Sequence, residues 1–460
     1  MTDRPFTRRC SHRAAFSRRR LHGAAFTHLV AAATISGLGD GMTQVAGALL
    51  AVALTSSPPR IAGLLAAQQL PWVLGALPAG ALVDRVDRRR AMAAACLARA
   101  AALGTLGVLV AAGRAGLPVM YLVFLVTGAA GVVYENAATA IVPVLVARPD
   151  LTRANGRLQA ASSLSRSLLA QPLGGWLFTV APWVPFLLDT AGLLLVTVMT
   201  STLPRLARTP PPSDTGAAGT EAAGTGSAPP QPAAPASTAP GAVPPDAAGQ
   251  VPRVNWRASM REGLTWLAGH RLLRGLALAV ALSNLGLGAL FSVFVLFARV
   301  RLGTGPLGYG LLLAVMAAGG LAGGLAAGRV TSAIGAGTAL RVDLAVEALT
   351  YAGLLLTRDP VVAGGLLAFL SANLAVFSSV GATLRQSLAP PGMLGRVQGA
   401  YRAISSTGLL AGAALGGLVT SVAGLTAPLW LGLAAITVVI ALAWRSFGAL
   451  GTVGASATAP

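Results

Sequence analysis

A handful of ionisable residues stand inside long apolar runs, where an unpaired charge costs several kcal/mol, and these are the functional candidates by default. Asp40 lies within Gly39-Asp40-Gly41, where the flanking glycines would permit close helix approach and local unwinding. Glu135 is flanked by Tyr134 and Asn136 in a later run, and Arg99 and Arg166 occupy two further runs as possible charge partners. A carboxyl group so placed can bind or release a proton as its surroundings change. The other reading of such an acid is a permanent pair with arginine that holds helices together. Asp343 and Glu347, spaced i,i+4, share one helix face and read as a structural network with Arg341.

The elements that must position these groups are set by composition. Of 460 residues, 54% are apolar and 10% charged, against roughly 25% charged in soluble domains. Twelve apolar runs, each near the ~20 residues that cross hydrocarbon as a helix, are expected at 26–54, 61–83, 91–112, 118–147, 154–181 and 184–203, then 273–298, 306–329, 339–357, 360–388, 398–422 and 425–444. The run from Phe26 is longer than the roughly 7–15 residues of a signal-peptide core and is read as a retained first span.

The net charge of +20 comes from 34 arginines and no lysine. They gather in short segments between apolar runs rather than in one stripe, which argues against a nucleic-acid partner. With the N-terminus in the cytoplasm, 27 arginines fall on the inner side and five, namely Arg60, Arg114, Arg299, Arg301 and Arg358, on the outer side. That bias predicts a multi-pass protein of the cell membrane with both termini cytoplasmic. Cys10 and Cys96 are too few for a disulfide framework or metal site, and the four histidines are scattered. No metallopeptidase, nucleophile-elbow or phosphate-loop motif occurs, so neither an enzyme, nor a cofactor or metal, nor ATP-driven transport is expected.

The domain reading is a basic tail at 1–25, a first six-helix bundle at 26–203 and a linker at 204–255. The linker is rich in Pro, Ala, Gly, Ser and Thr and cannot bury a core. A second six-helix bundle at 256–446 opens with an interfacial helix from Trp256, and a tail covers 447–460. The halves repeat: Leu-Thr-Arg-Ala-Asn-Gly at 151–156 matches Leu-Gly-Arg-Val-Gln-Gly at 394–399, an offset of 243 residues. Ser162 and Ser163 meet Ser405 and Ser406, and Gly80 and Leu82 meet Gly323 and Leu325, at the same offset. Parallel repeats of this kind hold substrate near the midplane between the halves. Stretches such as Gly412-x-x-x-Gly416 give small-residue faces for tight helix packing.

After the second run the chain reads Gly80-Ala-Leu82-Val-Asp84-Arg85-Val-Asp87-Arg88-Arg89-Arg90. This resembles the Gly-x-Leu-x-Asp-Arg-x-Gly-Arg-Arg loop of the major facilitator superfamily, with Asp87 where that family has glycine. The resemblance implies an all-α membrane protein of about twelve transmembrane helices in two pseudo-symmetric bundles. It implies that Gly80, Asp84, Arg85 and Arg88 form a gating latch, with Asp84 at the N-terminus of span eleven. It also places spans one and four on the central cavity, making Asp40 and Glu135 the proton-coupling candidates.

Asn284 and Asn373 then fall on expected cavity helices of the second half, where each also reads as an interhelical hydrogen bond; Tyr134, Asn136 and Gln171 complete the cavity set. The run from Ile141 through Pro143, and then Gln171-Pro172-Leu-Gly174-Gly175, resembles the exporter subgroup that contains enterobactin exporters and macrolide efflux proteins. The expected activity is proton-coupled efflux of a hydrophobic or amphipathic small molecule by a monomer in the bilayer, driven by a proton gradient. An uptake symporter or lipid transporter of the same fold is the alternative, and an integral membrane enzyme or sensor a more distant one.

Overall fold

The computed structural model describes the backbone of residues 6–85, 87–145, 151–201, 256–390 and 393–448. Within these, side chains are described from Phe26 onward, except at 75–85, 88, 139–145, 151–153, 155, 256–260, 271, 394 and 443–448. The expected linker at 204–255 lies outside the described residues.

Among the described residues the chain is helical and has no strand, as backbone in hydrocarbon must satisfy its own hydrogen bonds. The first half contains α1 (Phe6–Leu54), α2 (Pro58–Arg85), α3 (Arg88–Ala111), α4 (Leu117–Leu145), α5 (Leu151–Ser163), α6 (Ala170–Val180) and α7 (Val184–Ser201). A π-helical turn, Leu164–Leu169, joins α5 to α6, so these three pieces make one rod, the fifth. The second half contains α8 (Trp256–Gly269), α9 (Arg271–Leu296), α10 (Pro306–Ile334), α11 (Ala336–Leu356), α12 (Pro360–Leu388), α13 (Leu394–Ala423) and α14 (Ala427–Gly448). A second π-turn, Phe297–Arg301, ends α9. Setting aside α8, the described residues form twelve rods. Among the described residues, eight helices are long and apolar enough by themselves to cross a membrane; the fifth rod falls outside that set because the π-turn divides it.

Sequence punctuates these rods in recognisable ways. Pro306 and Pro360 stand in the first turns of α10 and α12, where a missing N–H leaves nothing unsatisfied. Gly335 and Gly424 end α10 and α13 at φ of 79° and 88°, a left-handed backbone that L side chains avoid. Asp87 has a local role: its carboxylate accepts the Arg89 N–H at 2.9 Å and caps α3. The π-turn also has a cause. Pro172 has no N–H to bond the carbonyl four residues back, and its ring crowds that carbonyl, so the ladder before it widens and Ala170 N–H bonds Ser165 O instead.

The halves pack as copies. Rods one and five, two and four, three and six, and three and four are in contact in the first half. The corresponding pairs of the second half, α9 with α13, α10 with α12, α11 with α14, and α11 with α12, are in contact too. The seam between halves is likewise paired, with α2 against α13 and α6 against α10. Small residues set these distances. Gly408, Gly412 and Gly416 of α13 lie on the carbonyls of Ala281, Leu285 and Ala289 of α9, leaving no room for a Cβ. Leu349, Leu356, Val361 and Val422, each at least 69% exposed, lie on the outside, the surface that lipid would cover.

Candidate functional site

A cavity of about 1120 Å³ opens between the halves. Its two walls differ. The first half supplies Asp40, Arg99, Glu135, Arg166 and Asp189 together with Gln44, Gln68, Gln69, Gln159 and Gln171. The second half supplies Phe291, Ser292, Val295, Tyr309, Leu313, Met316 and Leu409, which are apolar apart from two hydroxyls.

The charged wall is built on a glycine-rich stretch of α1. Gly37 and Gly41 face the π-turn, where a Cβ would strike Ser165 and the Arg166 carbonyl, and Gly39 faces α7, where a Cβ would strike the Asp189 carboxylate. Alternate glycines therefore let α1 touch two neighbours while Asp40 points into the cavity. The helix runs unbroken through this stretch, so the local unwinding expected at Gly39-Asp40-Gly41 is absent. The irregular backbone is in the fifth rod instead, and it carries Arg166.

Asp40 uses both oxygens. Arg99 Nη2 donates to Oδ1 and Arg166 Nη2 donates to Oδ2 at 3.0 Å. Glu135 Oε1 lies 4.0 Å from the same Arg166 nitrogen, and its side chain is 48% exposed to the cavity. Arg99 is buried, and its Nε has no partner. Asp189 is a further acid that sequence reasoning missed. It is buried, accepts the Thr43 hydroxyl at 2.7 Å through Oδ2, leaves Oδ1 without a partner, and is close enough to Arg99 to interact electrostatically. Its signal was available, since it is an acid five residues inside an apolar run, the same pattern that singled out Asp40.

Of the other expected cavity residues, Tyr134 and Gln171 line the space. Gln171, oriented so that its amide nitrogen donates, bonds Ser167 O at 2.9 Å and reaches across the seam to Leu313 O at 3.2 Å. Asn136 donates to Val132 O of its own helix at 2.7 Å. Asn284 donates to Ser405 at 2.9 Å and Asn373 to Asp343 at 2.8 Å, both away from the cavity. Gly80, Asp84 and Arg85 fall in the last turns of α2 and Arg88 opens α3, but their side chains, and with them the expected latch, lie outside the described residues.

A profile of the Major Facilitator Superfamily matches residues 29–408. The chain belongs to the Major Facilitator Superfamily. Uncharacterized MFS-type transporters of Mycobacterium bovis and Mycobacterium tuberculosis are each 32% identical to it over 146 residues, 31% of this chain. That match spans 33% of the relatives' length, about a third.

Solved structures share the fold across nearly the whole chain. A variant of the nucleoside transporter NupG superposes with a TM-score of 0.69 at 13% identity, covering 93% of this chain and 99% of that one. An inward-facing bacterial homologue of the iron transporter ferroportin gives 0.66 at 14% identity, covering 92% and 98%. An inward-facing, unoccupied bacterial homolog of the human lysosomal transporter Spinster gives 0.61 at 14%, covering 94% of each chain. By family and fold the chain is a multi-pass membrane protein of this superfamily, and these relatives and structural neighbours are described as transporters.

Proposed function

We propose that this superfamily member is a secondary active transporter that exports a hydrophobic or amphipathic small molecule in exchange for protons. The observation that carries this reading is a charge imbalance at the cavity wall: three carboxylates, Asp40, Glu135 and Asp189, against two guanidiniums, Arg99 and Arg166. Guanidinium keeps its charge, so one proton, or one cationic substrate group, neutralises the cluster. Proton and substrate then compete for the same excess charge, which is the requirement for exchange. The apolar second wall suits the body of an amphipathic molecule whose polar end meets the first wall.

With Asp40 ionised, α1, α3 and the π-turn are held together. A proton on Asp40 removes the charge that holds Arg166, and the fifth rod is freed to move against α10. The tight contacts between halves, Gly417 on Pro59 and Gly175 on Pro306, are at the end opposite the linker. The arginine bias supports an orientation with that end outside the cell, the cavity facing the cytoplasm and both termini cytoplasmic. The partial resemblance around Pro172 to drug and siderophore exporters supports outward flux. Glutamines on the first wall favour a second reading, uptake of a polar solute, which the direction of flux separates.

The test is accumulation of compounds from a panel into inside-out vesicles with an acidic interior, comparing the wild type with Asp40→Asn and Glu135→Gln. Loss of gradient-driven transport in the variants is expected. Unchanged transport in both removes the coupling assignment.

A further inference from the structure

We propose that Glu347 is a second proton-binding site, buried in the second bundle and separate from the central cavity. The inference extends the proton-coupled reading, but the property at issue, protonation of one carboxyl group, is measurable without transport.

Asp343, Glu347 and Tyr351 follow one another at i, i+4 and i+8 on α11 and are 3%, 2% and 0% exposed. None of them lines the cavity. Asp343 accepts the Asn373 amide, and Glu347 Oε2 accepts the Ser283 hydroxyl of α9 at 2.8 Å. Glu347 Oε1 is buried with no partner, and so is the Tyr351 hydroxyl one turn further on. That hydroxyl lies 2.7 Å from where a Cβ on Gly286 would be, and Gly286 is one turn along α9 from Ser283. Both orphaned atoms are therefore aimed into the same groove between α9 and α11.

Among the described residues no ion pair to Glu347 is found. Arg341 of α11 itself, Arg274 of α9, Arg329 of α10, Arg385 of α12 and Arg445 of α14 all fall in turns near the linker end of their helices. At this level α9 presents Ser283 and Gly286, α12 presents Asn373 to Asp343, and α14 presents Gly432 to the Tyr351 ring. The cation beyond Tyr351 is Arg301, which donates to Leu355 O at the far end of the helix. An ionised carboxylate without a counter-charge is costly here. A proton on Oε1 neutralises it and makes it a hydrogen-bond donor facing the Tyr351 oxygen. A hard metal cation would need about six oxygens, and the groove offers two without partners.

The repeat gives independent support. Ser283 is the counterpart of Asp40 at the 243-residue offset. Both bundles thus join their first and third rods by a contact to an acid, Asp40 with Arg99 in one and Ser283 with Glu347 in the other, and only the first has a permanent cation.

The test titrates the full chain, purified in detergent, by proton uptake per molecule and by pH-difference infrared spectra of carboxyl groups. The wild type is expected to lose a buried carboxylic-acid band as pH rises. Glu347→Gln lacks that band and binds one proton fewer, Glu347→Asp restores it at a shifted position, and Tyr351→Phe moves its midpoint. Equal proton counts and spectra in the wild type and Glu347→Gln overturn the proposal, as does a band that responds to sodium and not to pH. Should Glu347→Gln fail to fold, an unmoved band in both Glu347→Asp and Tyr351→Phe overturns it. A Glu347 band that persists while no compound shows proton-driven flux supports the site and counts against the coupled-transport reading alone.

Discussion

Asp40 gives one carboxylate oxygen to Arg99 and the other to Arg166, so one side chain of α1 ties α3 to the π-turn of the fifth rod. Its removal leaves Arg99, 7% exposed, short of its anion. Breaking such a buried pair from one side costs about 3–5 kcal/mol, more than removing both partners. Thermal unfolding in detergent should therefore rank wild type first, Asp40→Asn/Arg99→Gln second and Asp40→Asn last. A double variant no more stable than the single one would show that the two groups are not coupled.

The π-turn is expected to depend on Pro172. Alanine there restores a backbone N–H, allows an ordinary α-helical ladder, and takes one residue out of the wide turn, turning Arg166 by about 100° relative to the rod beyond it. Pro172→Ala should keep the protein folded but weaken substrate binding roughly as much as Arg166→Ala does. Equilibrium binding of any transported compound to the two variants measures this. Unaltered affinity in Pro172→Ala would mean that the proline does not hold Arg166 in place.

Glycines in this chain divide into those that set helix spacing and those that do not. A Cβ at position 412 would collide with the Leu285 carbonyl, a backbone atom that cannot swing away, whereas nothing lies within 4 Å of one at position 324. Gly412→Ala should destabilise by about 1–3 kcal/mol through overpacking. Gly324→Ala should be neutral or stabilise by roughly 0.5–1 kcal/mol, because alanine is the better helix former. Unfolding temperatures of the two proteins decide between these outcomes.

The end of the cavity away from the linker is closed where Gly417 packs on α2, so closely that a Cβ added there would lie 2.5 Å from Ala62 Cβ and 2.9 Å from Pro59 Cα. A leucine at 417 should wedge α2 from α13 and favour the conformation open at that end. With Cys10 and Cys96 replaced by alanine, a reporter at Ser292→Cys, normally 3% exposed, should react faster with a membrane-impermeant maleimide when Gly417→Leu is present. Equal labelling rates would show that this contact does not control access.

Much of this architecture was legible in the sequence because lipid imposes one strong rule, that runs of about 20 apolar residues become helices. The acids and arginines of the cavity stood out for the same reason, since a charge among Leu, Val and Ala is conspicuous. Which face each one uses was not legible. Asn284 and Asn373 belong to helices of the second half, yet they turn to Ser405 and Asp343, because rotation about a helix axis is fixed by packing that no local pattern records. The π-turn escaped notice because its own residues are ordinary and its cause lies downstream in Pro172. Glu347 and Asp343 read as a network held by Arg341; the missing counter-charge beside Glu347 became visible only when α9, α12 and α14 were in place around it.

The short helix α8 is fastened to α13, with Gly263 against the Arg396 carbonyl and Glu262 paired to Arg396 at 2.6 Å. Because α13 in turn lies backbone to backbone on α9, these three helices form one lever. A dye attached to α8 would ride on that lever and report each swing of the second bundle to an observer in the aqueous phase, with no probe placed in the transport path.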